Sequence, residues 1–447
     1  HTGKKESGQK NHHRIVKKER SYIETGAHYP LEFTTLKGFK DILPEESARW
    51  QEIETKARAL FATFGYREIK TPVLEKTALF SRGIGQETDI VSKEMYSFED
   101  VKGRGLTMRP EATASVVRAY IQHRLYLQYP IQKLYAVGPM FRHERPQKGR
   151  FRQFHQIDVE LFGDPGPMSD AEMISLAVSL FETVGLTDVS LHINSLGCPD
   201  CRPNFKEQLK SYLADKTASL CADCQKRAQL NPLRVFDCKV ETCKSIVQNA
   251  PTIPSFLCGN CEEHFGSLKA YLRALEIPFE ENDQLVRGLD YYNRTTFEIQ
   301  TEHLGAQNAV AGGGRYDGLV KTLGGPDHPA IGFAVGVERV VALLEASKPV
   351  EPRKPDLFIA ALGENVSLPA FQWMTALRKQ GLWVELDYGG KGLKSQMKKA
   401  NRLDAQNVLI VGDDEAAAKR AILRDMNTGE QTEVDFNNLV STLEDIL

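Results

Sequence analysis

All eight cysteines of this 447-residue chain lie between Cys198 and Cys261. They fall in four close pairs, Cys198-x2-Cys201, Cys221-x2-Cys224, Cys238-x4-Cys243 and Cys258-x2-Cys261. The disulfides of a secreted enzyme would be scattered along the chain, so the clustering points to a metal in a reducing compartment. Two pairs make one tetrahedral four-thiolate zinc site. One or two structural zinc ions are therefore expected, and spacing leaves three ways of combining the pairs. A closed four-thiolate site has no open position and implies folding rather than catalysis. Free reduced thiols are the plainer alternative.

Beyond the cysteines, no uncharged apolar run approaches the roughly 18 residues that would span a bilayer, so no integral membrane protein is expected. The net charge is −2, from 57 Lys plus Arg against 59 Asp plus Glu, so nucleic acid could be bound only through local patches. Residues 1–30 carry seven Lys or Arg against three Glu and no apolar run of a secretory leader. They read as a flexible basic arm. Ile53, Ala57, Leu60, Phe61 and Phe64 recur at helical spacing and Gly65 stops the helix, after which residues 66–73 read as a strand.

Residues 151–162 form a strand pattern of unusual parity. Ile157, Val159 and Leu161 share one face, and Phe154, Gln156, Asp158 and Glu160 share the other. A half-exposed antiparallel strand is the ordinary explanation. The flanking sequence argues otherwise: residues 141–152 read FRHERPQKGRFR, four arginines and one lysine on a hairpin that turns at Pro146 and Gly149. Guanidiniums are always charged and present planar bidentate donors, which suits phosphate recognition.

Downstream, residues 277–299 and 306–320 read as strands, the second carrying the run GGGRYDGL from Gly312. Consecutive glycines let another group approach the backbone, but the spacing is not that of a dinucleotide fold. A helix is expected from about Val337, with Arg339 near its amino end, where a cation gains nothing from the helix dipole. Three prolines in residues 346–355 mark a linker. Beyond it, short apolar runs at 357–361, 382–386 and 408–411 alternate with helical patterns, as in a small α/β domain. There Lys391, Lys394, Lys398 and Arg402 fall on one helix face, opposite Leu393, Met397 and Ala400. Such a face is often only solvated, yet no acid interrupts residues 388–403, so contact with a polyanion is expected.

These segments together resemble the bacterial-type histidyl-tRNA synthetases of class II, from about Leu31 to the carboxyl terminus. FRHERPQKGRFRQFHQ resembles motif 2, GFAVGVERVVALL resembles motif 3, and the segment around residues 65–75 resembles the dimer-forming motif 1. LVRGLDYY at 285–292 and GGGRYDGL at 312–319 resemble the pair that distinguishes the histidyl enzymes. The resemblance implies an α/β protein: a class II core with a mainly antiparallel sheet flanked by helices, a helical insertion that here holds the cysteines, and an α/β anticodon-binding domain. The implied spans are a basic arm at 1–30, core at 31–195 and 281–345, the cysteine-rich insertion at 196–280, the linker at 346–355 and the anticodon domain at 356–447.

The resemblance also implies ATP with Mg2+, L-histidine and tRNA(His) as partners, a homodimer, and a cytoplasmic location. Arg142 would hold the α-phosphate and the histidine carboxylate, with Glu144 and Arg150 also at ATP, and Phe154 with Arg339 would sandwich adenine. Glu111, Thr113, Gln156, Glu160, Tyr291 and Tyr292 would bind histidine, Glu160 and Tyr292 facing the imidazole nitrogens. Arg287 would stabilise charge at the transferring phosphorus, and Arg145 with Gln147 would read the 5′ end of the tRNA. A non-catalytic regulatory subunit of histidine biosynthesis is the competing expectation; such paralogues usually lack the last domain and degrade these motifs.

Overall fold

The computed structural model describes residues 33–447, apart from 87, 147–148, 305–307 and 348–352. The basic arm, Gln147 and part of the linker lie outside the described residues. The chain divides into two compact units, His1–Pro349 and Val350–Leu447.

The first unit is built on an eight-stranded sheet. Its strands are β1 (Arg67–Glu68), β5 (Gln132–Phe141), β6 (Gln153–Phe162), β7 (Ser190–Ser195), β8 (Glu280–Glu281), β9 (Asn293–Gln300), β10 (Ala309–Arg315) and β11 (Ala330–Gly336). Between β1 and β5 the chain makes a separate three-stranded sheet of β2 (Leu74–Lys76), β3 (Tyr96–Glu99) and β4 (Gly105–Met108). The large sheet has the order β1-β5-β6-β11-β10-β9-β7-β8, antiparallel except at its two edges, where β1 and β8 run parallel to their neighbours.

The parity of β6 explains how this sheet is used. Ile157, Val159 and Leu161 pack into the main core with helices Pro44–Thr63, Pro167–Val184, Gly259–Ala274 and Val337–Ser347. Helix Pro44–Thr63 places Ile53, Ala57 and Phe61 on that core at spacings of four, as its pattern required. The opposite face of β6 is polar, but Asp158 and Glu160 on it are buried rather than solvated. Helix Thr113–Gln122 covers part of that face, and the remainder opens into a cavity.

Several expected strands are shorter than the pattern suggested. The run 66–73 pairs only at β1, because Thr71 and Val73 instead receive Arg109 through their carbonyls. The run 277–299 is strand only in β8 and β9, with residues 285–292 irregular between them. The run 306–320 ends at Arg315 and gives way to a short helix, Leu319–Thr322. The helix at Val337 begins where expected and continues to Ser347, into the span read as linker.

The cysteine-rich segment is helical: Arg202–Ala214, Ala222–Leu230, Glu241–Val247 and Gly259–Ala274. The first three share a small core with Phe205, Leu209, Leu213 and Val235, while the fourth turns Phe265, Leu268 and Leu272 into the main core.

The second unit has a five-stranded sheet of β12 (Leu357–Ala361), β13 (Val384–Leu386), β14 (Asn407–Val411), β15 (Arg420–Asp425) and β16 (Gln431–Asp435), in the order β13-β12-β14-β15-β16. Its parallel half is the expected α/β alternation, and the antiparallel β15 and β16 were not legible. Helix Leu393–Arg402 carries Lys394, Lys398 and Arg402 exposed along one face. Lys391 precedes that helix and so is not on its face, a correction to the pattern. Leu393 is exposed as well; the docked face is Gln396, Met397 and Ala400, Met397 and Ala400 packing on Phe358 and Val408 and Gln396 donating to the carbonyls of Ala361 and Lys391.

Candidate active site

A cavity of about 480 Å³ opens over the polar face of β6. Its wall brings together Arg142, Glu144 and Arg150 from the β5–β6 hairpin, Phe154, Gln156 and Asp158 from β6, Glu111 and Thr113 before and at the start of helix Thr113–Gln122, Arg287, Tyr291 and Tyr292 from the irregular loop, and Arg339. These come from four separate stretches of sequence, 111–113, 142–158, 287–292 and 339.

At one end the charge is positive. Arg142 donates through Nε to the carbonyl of Pro110 at 2.8 Å and lays its guanidinium over the Phe154 ring, 5.2 Å from the centroid. Arg150 and Arg142 both approach Glu144, and Arg339 donates to the carbonyl of Ala309. Arg287 is held by Glu298 at 2.5 Å. A Cβ on Gly312 would overlap the Arg287 guanidinium, so the first glycine of GGGRYDGL gives room to an arginine and not to a phosphate.

The other end is acidic and closed. Glu160 lies beneath the wall, its two oxygens accepting from Thr113 Oγ1 at 2.6 Å and Tyr316 Oη at 2.5 Å. A Cβ on Gly332, its partner across β6 and β11, would strike that carboxylate. Glu111 accepts from the backbone N–H of Ala114 at 2.9 Å, and Tyr291 Oη lies 3.4 Å from its other oxygen. Burial pushes Glu111, Asp158 and Glu160 up from the ordinary carboxylate range, Asp158 and Glu160 furthest. Burial likewise pushes the Tyr292 hydroxyl up to about 12. Gln156 Oε1 and Asp158 Oδ2 are buried with no hydrogen-bond partner. Buried polar atoms without partners are costly, and here they face a cavity.

Asp158, Glu298 and Tyr316 had no role assigned from sequence; Tyr316 lay inside a quoted motif, whereas Glu298 becomes visible only through its ion pair with Arg287. Arg227, Arg234 and Lys239 of the cysteine-rich segment also reach the wall, and nothing in their spacing signals it. Arg145 is exposed on the hairpin, outside the wall.

The eight cysteines are free thiols gathered into two groups, Cys198, Cys201, Cys258 and Cys261, and Cys221, Cys224, Cys238 and Cys243. The outer pairs thus combine with each other and the inner pairs likewise. Within each group all sulfurs lie within 4.8 Å. Tetrahedral zinc with bonds of about 2.3 Å sets its sulfurs about 3.8 Å apart. The measured separations are 3.6 Å for Cys198 to Cys201, 3.9 Å for Cys198 to Cys258 and 3.8 Å for Cys221 to Cys238. Backbone N–H groups point at these sulfurs, Cys258 at Cys201 and Cys221 at Cys243.

The histidyl-tRNA synthetase family model matches residues 38–340, and an anticodon binding domain model matches 356–446. The chain belongs to the histidyl-tRNA synthetase family. A histidine–tRNA ligase of Desulfatibacillum aliphaticivorans is 56% identical over 404 residues, 90% of this chain and 96% of the relative. One from Geobacter metallireducens is 53% identical over 401 residues, 90% and 97% of the two chains. The apo histidyl-tRNA synthetase structure from S. aureus superposes with a TM-score of 0.78 at 35% identity, covering 92% of this chain and all of that one. A Bacillus halodurans structure described as an ATP phosphoribosyltransferase regulatory subunit/histidyl-tRNA synthetase shares the fold, with a TM-score of 0.62 at 20% identity, covering 86% of this chain and 99% of that one. Class II architecture, an antiparallel sheet flanked by helices with an anticodon-binding domain, is thereby the fold of this family member. Among the described residues no helix is long and apolar enough to cross a membrane.

Proposed function

We propose that the chain is a histidine–tRNA ligase: it joins L-histidine to ATP as histidyl-adenylate with release of pyrophosphate, then passes the histidyl group to the 3′ end of tRNA(His). The carrying observation is the polarity of one cavity, arginines at its mouth and buried carboxylates at its floor. That suits a ligand anionic at one end and basic at the other.

Arg142, Glu144 and Arg150 would take the phosphates of ATP and its Mg2+, and Phe154 with Arg339 the adenine. Arg287 would meet charge developing at the α-phosphorus, where adenylation needs positioning and electrostatics more than covalent help. Glu111, Thr113, Gln156 and Tyr291 would bind the amino-acid end. Glu160 and Tyr292 would face the imidazole; each Glu160 oxygen keeps a lone pair beyond its present hydrogen bond. Arg145 and Gln147 would meet the tRNA 5′ end, and Lys394, Lys398 and Arg402, with Lys391 beside them, the anticodon stem.

Each cysteine group would hold one structural zinc ion, four thiolates closing the coordination. Eight reduced thiols suit a cytoplasmic protein. A homodimer would form through the region of residues 65–75, where Leu74 is an exposed apolar side chain. A regulatory subunit would not need intact Arg142, Arg287 and Arg339 on one cavity together with an anticodon-binding domain. ATP–pyrophosphate exchange with each amino acid in turn tests the assignment: exchange with histidine alone is expected, and no exchange with any amino acid would refute it. Native mass measurement of protein purified without chelator tests the zinc ions.

A further inference from the structure

The two cysteine groups each deliver an arginine to the same loop. Arg202 follows Cys201 and begins helix Arg202–Ala214; its Nη2 donates to the carbonyl of Tyr292 and its Nε to that of Leu196 at 3.2 Å. Arg234 lies in the stretch between Cys224 and Cys238. Its Nη1 donates to the carbonyl of Arg287 at 2.9 Å and to Asp237 at 2.8 Å, and its Nη2 lies 3.6 Å from Asp89. From the same stretch Asn231 Nδ2 donates to Asp290 at 2.8 Å. The two ends and the interior of residues 287–292 are thus tied to the cysteine-rich segment.

Residues 287–292 are neither helix nor strand, so their carbonyls find no partners in a repeating ladder and need donors from elsewhere. Arg234 is buried and Arg202 half-buried, and both stand within a few residues of a cysteine, so their position depends on how each thiolate group is held. A small core of short helices holds a fixed shape poorly without a cross-link, which a metal would provide.

We propose that the cysteine groups serve catalysis indirectly, as a metal-held template for residues 287–292, with Arg202 and Arg234 as positioning residues for Tyr292 and Arg287. This rests on the zinc reading and the site roles proposed above. The guanidinium of Arg287 reaches the cavity from this loop, and a displacement near 1 Å can cost about a hundredfold in rate.

The test uses Arg202→Ala and Arg234→Ala in the full chain, with histidine-dependent ATP–pyrophosphate exchange, metal content by native mass, and amide hydrogen exchange at residues 287–292. The expected result is a kcat lower by roughly ten- to a hundredfold, KM for ATP near wild type, retained metal and faster exchange in the loop. Arg234→Lys, which keeps a cationic donor, and free guanidinium added to Arg234→Ala should each restore part of kcat. Wild-type kcat in both alanine variants with metal bound would overturn the template and leave the zinc reading standing. Active wild-type protein purified without metal would overturn the zinc reading and the template with it. If the alanine variants do not fold, Arg234→Met, which keeps the aliphatic stem without the donors, decides, and wild-type kcat and loop exchange there would overturn the proposal.

Discussion

His264 and Asp170 join the cysteine-rich segment to the main sheet unit through a 2.8 Å contact between Nε2 and Oδ2, with both side chains buried. Asp170 also pairs with Arg315, whose side chain is wholly buried and whose Nε lies 3.0 Å from Oδ1, and it accepts from Thr295. One carboxylate therefore ties helix Pro167–Val184 to β9, β10 and helix Gly259–Ala274.

We predict that Asp170→Asn destabilises the protein by about 3 kcal/mol, because it leaves the buried Arg315 guanidinium with Asp317, 3.2 Å away, as its remaining charge partner. Burial works against the Asp170 carboxylate, but the Arg315 charge and the His264 contact outweigh it and hold the pKa below the ordinary value. A depressed folded pKa gives stability that is present above the unfolded value and is lost as pH falls through the folded one. The gap between wild type and variant should thus be full at neutral pH and narrow below about pH 4. Thermal unfolding at several pH values measures it; a constant gap down to acid would remove the carboxylate charge as its source.

Glu160→Gln is expected to raise the KM for histidine by roughly ten- to a hundredfold while leaving the KM for ATP within about twofold. The amide can keep one of the contacts with Thr113 and Tyr316 but loses the negative charge. Equal losses for both substrates would indicate a damaged sheet and not a lost imidazole contact.

Arg145→Ala should impair aminoacylation of tRNA and spare pyrophosphate exchange, since Arg145 is exposed and lies off the cavity wall. A matching fall in both reactions would place Arg145 in the adenylation step.

Replacing Lys394, Lys398 and Arg402 together by Gln should raise the tRNA KM and lower the slope of log affinity against log salt by about one per charge engaged. Pyrophosphate exchange should not change. A binding slope equal to that of wild type would leave this helix face as solvated surface only.

Residues 285–292 show what a local pattern misses. Residues 285–292 were recognised by their order, and Arg287 and Tyr292 do reach the cavity wall, yet periodicity suggested a strand there. The pattern misled because the loop's backbone is satisfied by Arg202, Arg234 and Ile84 and not by a neighbouring strand. β15 and β16 were missed for a related reason: as an edge hairpin they bury few side chains, and β16 buries only Val434.

The sequence by itself determined the parity of β6, because a strand's two faces alternate by covalent geometry and nothing later can exchange them. It determined the helix at Pro44–Thr63, the clustering of cysteines and the presence of every motif arginine. Only the tertiary structure decided which cysteine pairs combine, since spacing is indifferent among the pairings and chain closure is not. Only it could show that Gly312 makes room for Arg287, that Glu298 holds that arginine, and that two arginines beside the cysteines grip one loop. Those are meetings between residues far apart in the chain, set by how sheet, helices and insertion pack, and no local pattern carries them.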